Sequence, residues 1–219
     1  MAATKTLVFA FDIESAGAFK DLIALGICVM DDHLTVYAKH CWPAYFPGLT
    51  EFEPRCQKEF WDHHPDVLEL LTYGGPVDPD QCRYDLIHGF WTQLAKWETY
   101  AQEFGYQFLL VCDNAVFDAA ELNRLTELHM PHRLPMPYMA SAPSAYGSLY
   151  ETRNIQRGLL MAVDPAFRPE WGFAKRLNEL YDLPLPAAKA DHLPHNDAHV
   201  IAHEMQMLIG IQAGIYHRR

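Results

Sequence analysis

Apolar residues near the N-terminus predict three consecutive β-strands. Residues 6–13 and 22–30 are mostly apolar and β-prone, and residues 34–40 follow a short polar turn at residues 31–33. Strands joined by such short connections favour an antiparallel meander. The first half of the chain therefore begins with a sheet.

Helical and strand patterns alternate after residue 80. Leu86, Phe90 and Leu94 recur at helical spacing between residues 81 and 104, and Gly105 is a typical helix terminator. Residues 107–112 predict a central strand, and residues 136–140 a further short one. Further helices are predicted at residues 115–129, 154–163, 171–181 and 197–215. This order predicts an α/β fold of the α+β mixed type, with a central mixed five-stranded sheet flanked by helices.

The segment from residue 42 to 80 is rich in proline, glycine and aromatic residues, so we expect irregular backbone there. A short helix is predicted near residues 56–63. Trp61, His63 and His64 could border a substrate groove, or Trp61 could simply pack against this irregular segment.

Length and charge limit the functional classes. The 219 residues predict a single domain spanning residues 1–219. A formal net charge of −11 argues against strong, sequence-independent attraction to nucleic acid. A local basic strip could still guide a polyanion, although the same charges could form a solvated helix face. The residues of this strip are Arg153, Arg157, Arg168, Lys175 and Arg176.

The cysteines and the longest apolar run indicate an intracellular, cytoplasmic protein that does not enter a membrane. The five cysteines are odd in number and lack C-x-x-C spacing, so neither a disulfide framework nor a cysteine-rich zinc site is indicated. The apolar run at residues 22–30 is far shorter than a membrane span.

Three acidic segments carry the candidate chemistry. Asp12 and Glu14 are two residues apart on the first predicted strand, so their side chains should share one face. Asp118 follows the central strand, where open α/β sheets commonly place ligands. Asp197 follows His192 by five residues, with Pro194 between them. We expect His192 on a loop, Asn196 as the cap of the last helix, and Asp197 in its first turn.

Together these segments resemble the DEDDh branch of the DnaQ-like 3′-to-5′ exonucleases, which have a ribonuclease H-like fold. Asn114, Ala115, Phe117 and Asp118 match the family's second motif, in which Asp113 replaces the usual histidine. Without the other segments, the same string could be a capped helix start with Phe117 in the core.

The resemblance implies a metal-dependent nuclease that releases nucleoside 5′-monophosphates from single-stranded RNA or DNA 3′ ends. Asp12, Glu14 and Asp197 would hold one Mg²⁺ or Mn²⁺ ion, and Asp12 with Asp118 a second. His192 would accept the proton of the attacking water. Related exonucleases often dimerise, so a homodimer is an open alternative to a monomer.

The resemblance also implies substrate contacts, although the sequence departs from the family there. Ser15, Ala16 and Asn114 match positions expected to contact the substrate. Ala18 is small where the family has a bulky apolar residue, and Phe19 comes one position late. Phe19 could therefore stack on the terminal base or pack in the core.

Three other interpretations remain open. His195, His199 and His203 recur at helical spacing and could form a transition-metal site, although a polar stripe is the commoner arrangement. The chain could be an inactive nucleic-acid-binding module of the same fold. It could also be a phosphodiesterase specific for very short oligonucleotides, which an acidic protein tolerates better than a long polyanion.

Overall fold

A five-stranded mixed sheet lies at the centre of the computed structural model, which describes residues 5–18, 20–133, 149–164 and 173–218. The strands are β1 (Thr6–Ser15), β2 (Leu22–Asp31), β3 (Val36–Pro43), β4 (Gln107–Cys112) and β5 (Tyr150–Glu151). Their spatial order is β3-β2-β1-β4-β5. The first three strands form the predicted antiparallel meander, while β4 is parallel to β1 and β5 is parallel to β4.

Helices cover this sheet on both sides. They are α1 (Pro54–Glu59), α2 (Pro65–Leu70), α3 (Pro79–Phe104), α4 (Ala120–His129), α5 (Thr152–Val163), α6 (Phe173–Tyr181) and α7 (Pro194–Gln212). The predicted α/β architecture, a central mixed five-stranded sheet flanked by helices, is thus confirmed. The proposal of a single domain stays a prediction.

Alternate residues of β1 pack into two separate cores. Phe9 and Phe11 point toward α3, where both rings contact Phe90 at centroid distances of 5.7 and 5.6 Å. Val8 and Ala10 belong to the opposite core, which α5, α6 and α7 cover. Since side chains alternate along a strand, Asp12 and Glu14 continue the row of Val8 and Ala10 on the α7 side.

Helix α3 begins and ends where its sequence indicates. The Asp78 side chain accepts a hydrogen bond from the Gln81 amide, Pro79 occupies the first turn, and Gly105 adopts the left-handed conformation with φ 72°. Glycine is suited to this C-terminal position because it lacks a Cβ atom.

The prediction that Asn196 caps the last helix is wrong. Helix α7 begins at Pro194, with Leu193 at the N-cap position, because proline needs no amide partner in the first turn. The side-chain amide of Asn196 instead donates to the two carboxylate oxygens of Asp191, at 2.9 and 3.0 Å. The helix ends at Gln212 rather than near residue 215.

The segment after β3 also differs from its prediction. Instead of one helix at residues 56–63, the chain forms α1, a short 3-10 turn at Trp61–His63, and α2. The Glu53 side chain caps α1, and prolines open both helices.

The predicted strand at residues 136–140 lies outside the described residues, as do Phe19 and Arg168. The fifth strand of the sheet is the two-residue segment Tyr150–Glu151. Across the described ranges, no helix is both long and apolar enough to cross a membrane.

Candidate active site

The first two carboxylates lie at the carboxyl end of β1. Asp12 pairs with Gly26 and Glu14 with Ala24 across the β1–β2 ladder, and a register shift follows Glu14. Asp12 is only 9% exposed. Asp12 lies just beyond Ala10, where the β1–β4 ladder ends, and β2 borders this part of β1.

Gly26 allows the start of α7 to approach the sheet. A Cβ atom at position 26 would lie 2.1 Å from both the His195 nitrogen and the Pro194 carbonyl carbon. Only glycine therefore accommodates the helix backbone at this distance. The close approach brings Asp197, in the first turn of α7, beside β1, and its Oδ1 atom accepts a hydrogen bond of 3.0 Å from the Asp191 amide.

The Asp118 carboxylate enters the site from a π-helical turn at Ala115–Ala119, between β4 and α4. Such turns are rare and often found at functional sites. The Asn114 amide donates to Asp118 Oδ2 at 3.2 Å, and Asp118 is 2% exposed. The turn thus directs a buried carboxylate toward the end of β1.

These elements bring the predicted site residues together. Potential ligand atoms of Glu14, His192 and Asp197 lie within 4.8 Å of one another, and those of Asp12, Asp113 and Asp118 do the same. Both groups line one cavity of about 750 Å³. Acidic residues that are distant in sequence therefore converge on one side of the sheet.

Asp113 is the member of these groups that sequence reasoning missed. The second motif indicates it only as a replacement for the usual histidine. Its carboxylate forms an ion pair of 2.5 Å with Arg153 on α5. The available signal was its position between β4 and Asn114, directly after a strand that ends at the site.

Burial and mutual repulsion raise the pKa values of the predicted carboxylate ligands. For Asp12, burial is the largest cause, and the charge of Asp118 adds to it, so its pKa lies well above the usual value. Burial, followed by the charge of Asp113, raises the pKa of Asp118 to about 8. The pKa values of Glu14 and Asp197 are also raised, mainly by burial. Divalent cations would relieve this repulsion, and a donor set made mostly of carboxylate oxygens suits Mg²⁺ or Mn²⁺.

His192 lies on the loop before α7, as predicted. It adopts a left-handed backbone conformation with φ 62°. Its ring packs against Phe60 and His64 at centroid distances of 4.6 and 4.8 Å. Its Nδ1 atom is 3.8 Å from Glu14 Oε1, and this interaction with the Glu14 carboxylate is the main cause that raises the pKa of His192.

A smaller cavity of about 300 Å³ adjoins the first and shares Glu14, Phe60 and Phe117 with it. Trp61 lies in its wall, is 1% exposed, and donates its indole N–H to the Ser15 carbonyl at 2.9 Å. This bond connects the α1–α2 segment to the end of β1. Trp61 is therefore packed in the protein interior, which was one of the two interpretations of this residue, and it also borders a cavity.

The predicted substrate-contact residues occupy different surroundings. The Ser15 hydroxyl lines the smaller cavity and donates to the Gly17 carbonyl at 3.0 Å. Ala16 is fully buried, and its backbone amide and carbonyl bond to Asp21 and Glu53. Asn114 lines the larger cavity. Their contacts with a substrate stay predictions.

Helix α5 contributes basic and polar groups to the larger cavity. Arg153 and Arg157 line it, whereas Arg176 pairs with Asp164 and Glu179. Gln156 donates to Glu204 at 2.7 Å, and burial raises the pKa of Glu204 to about 7.

The histidines of α7 do not gather into a metal group within the described residues. His199 and His203 are buried rather than forming a polar surface stripe. Burial, aided by the charge of His199, lowers the pKa of His203 to about 4, so this side chain is neutral near physiological pH.

No protein-family model matches the chain, and no curated protein matches it. Among solved structures, one similar chain is exonuclease X in complex with 5′-overhanging duplex DNA. The two chains are 14% identical, with a TM-score of 0.48, and the similarity covers 94% of this chain and 93% of that chain.

Proposed function

We propose that this protein is a metal-dependent 3′-to-5′ exonuclease that releases nucleoside 5′-monophosphates from single-stranded RNA or DNA ends. One observation carries the proposal: Asp12, Glu14, Asp118, Asp197 and His192 line a single cavity. The four carboxylates come from β1, the π-helical turn and α7. This is the set of residues that the three sequence motifs predicted.

The donor chemistry supports two divalent cations at this site. Asp12, Glu14 and Asp197 would hold one ion, and Asp12 with Asp118 the other. When bound, the ions supply positive charge that stabilises the phosphate undergoing hydrolysis. The buried carboxylates would hold these ions and balance their charge.

His192 would act as the general base. The His192 side chain is 40% exposed, so it can contact solvent. Phe60 and His64 limit the orientations of its ring. A neutral imidazole accepts the proton of the attacking water and later releases it to solvent. The Glu14 carboxylate, 3.8 Å from His192 Nδ1, favours an orientation of the ring toward the carboxylate groups.

The adjoining cavities support action at a chain end. The smaller cavity begins beside Glu14, and Trp61 and Cys56 line it, so it offers space for one terminal nucleotide next to the scissile phosphate. The family resemblance implies polarity from 3′ to 5′.

The decisive experiment follows labelled single-stranded RNA and DNA in Mg²⁺ or Mn²⁺. A 3′-to-5′ exonuclease converts a 5′-labelled strand into a ladder, but releases the label of a 3′-labelled strand at once as a mononucleotide. Asp12→Ala should abolish both products while the circular dichroism spectrum is unchanged. His192→Ala should lower kcat about a hundredfold or more with little change in KM. Full activity of Asp12→Ala would refute the proposal.

A phosphodiesterase for very short oligonucleotides is the second candidate. The net charge of −11 favours it, because a short substrate carries fewer phosphates past an acidic surface. Comparing kcat/KM for a dinucleotide and a long oligonucleotide separates the two activities. An inactive binding module would instead bind the oligonucleotide and leave it intact when metal is added.

A further inference from the structure

We propose that Asp113 is a fifth metal-binding carboxylate and that Arg153 balances its additional charge, so that the two residues act as one unit. The inference rests on the proposed function, since it assigns residues to the same metal site. It concerns metal affinity rather than the chemical step.

Asp113 lies beside the ligand atoms of Asp12 and Asp118. One of its carboxylate oxygens lies within 4.8 Å of ligand atoms of both Asp12 and Asp118. Its side chain is 22% exposed and lines the same cavity. An ion held between Asp12 and Asp118 would therefore lie within reach of Asp113.

The charge of Asp113 also acts on the whole site. Besides burial, which is the largest cause, this charge raises the pKa values of Asp12, Glu14, Asp118 and Asp197. For Asp118, a side-chain hydrogen bond with Asp113 raises the pKa further. The charge of Asp113 therefore interacts with the other carboxylates of the site.

Arg153 supplies the opposing charge. Its guanidinium nitrogen lies 2.5 Å from Asp113 Oδ2, and Arg153 lines the cavity from the first turn of α5. The two ligand groups contain five carboxylates. Two divalent ions would balance four of them, and Arg153 balances the fifth. This balance is favourable because Asp12 and Asp118 are buried, and an uncompensated buried charge is costly.

The test measures Mn²⁺ binding by isothermal titration calorimetry on metal-stripped full-length protein. Asp113→Asn should weaken Mn²⁺ binding about tenfold, because a charged ligand is lost. Arg153→Met should strengthen binding about tenfold, because a neighbouring positive charge is removed. The double variant should return to within about threefold of the unaltered protein, since the opposite effects cancel.

Arg124→Met is the matched control. Arg124 also pairs with a buried acid, Glu121, at 2.5 Å, and its side-chain exposure of 42% is close to the 46% of Arg153. Arg124 does not line the cavity, so its replacement should leave Mn²⁺ affinity unchanged. Thermal unfolding of each variant in EDTA verifies that it is folded.

The outcomes separate this inference from the proposed function. Unchanged Mn²⁺ affinity in Asp113→Asn, or weakened affinity in Arg153→Met, overturns the paired role while leaving the nuclease proposal intact. The latter result would mean that Arg153 only holds Asp113 in place. If the unaltered protein binds no Mn²⁺ and degrades no oligonucleotide, both proposals fail together.

Discussion

Asp12 on β1 lies directly opposite Gly26 on β2, at the point where the first turn of α7 crosses the sheet. The buried carboxylate of Asp12 is thus paired, across the β1–β2 ladder, with the glycine that lets α7 approach the sheet. The geometry of the candidate metal site therefore depends on a residue that has no side chain and no chemical role of its own.

Gly26→Ala should destabilise the protein by about 3 kcal/mol, because the new methyl group overlaps the backbone of α7 rather than a flexible side chain. The displaced helix should also carry Asp197 away from β1. Urea denaturation and Mn²⁺ titration measure the two effects. Gly158→Ala, at an open position on α5, should instead stabilise the protein by about 0.5–1 kcal/mol. Unaltered Mn²⁺ affinity in a folded Gly26→Ala protein would contradict the assigned role.

Stability without metal should fall as the pH rises from 6.5 to 8. Asp118 has a folded-state pKa of about 8 against an ordinary value of 3.8, so in this window it ionises more readily in the unfolded chain. His203, with its lowered pKa, acts in the opposite direction only at lower pH. Scanning calorimetry in EDTA should show a decrease in Tm of about 3 °C or more.

The same measurement with Mg²⁺ should remove most of this decrease, because the ions bind the ionised carboxylates of the folded state. Asp118→Asn should show a weaker pH dependence in EDTA, since the neutral amide does not titrate. A Tm that rises between pH 6.5 and 8 in EDTA would refute the electrostatic account of the site.

The imidazole of His192 should titrate above 6.5 in metal-free protein, because its charged form is stabilised by Glu14. Nitrogen-15 NMR of the histidine side chains follows this titration, and the spectrum of His192→Asn identifies the signal. Glu14→Gln should lower the pKa, and so should Mg²⁺, which competes for the Glu14 carboxylate. A His192 pKa below 6.5 in EDTA would show that the pair is not formed in solution.

Phe60→Leu should lower kcat by about two- to tenfold with little change in KM, because the lost edge contact allows the His192 ring more orientations. Steady-state kinetics on a single-stranded oligonucleotide measures the effect. Phe104→Leu, at a site 57% exposed and outside the cavities, is the matched control and should leave both constants unchanged. Equal losses in both variants would remove the positioning role.

Much of the fold could be predicted because its strongest local signals agree with its tertiary packing. The apolar runs of β1 and β2 are buried on both faces, and Gly105 ends α3 as its conformational freedom allows. The strand Tyr150–Glu151 could not be predicted, since two residues are too few to show an alternating pattern. The residue type of Asn196 favours a cap position, but Pro194 begins the helix earlier.

The sequence motifs predict which residues form the site, but they do not predict how those residues are arranged in space. Asp12, Glu14, Asp118, Asp197 and His192 stand in motifs whose order identifies them. The role of Gly26 could not be seen, because it depends on how closely a helix distant in sequence approaches β2. The ion pair of Asp113 with Arg153 likewise joins two elements whose proximity no local pattern indicates.

Helix α7 is tied to the sheet by buried hydrogen bonds of Gln206, which reach Thr6 across 200 positions of sequence and Met30 across 176. Closing so large a loop costs considerable chain entropy before any of these contacts is gained. Folding should therefore complete the candidate site late and all at once. A partly folded chain would lack the assembled carboxylate groups, so Mn²⁺ binding should begin only with the native state.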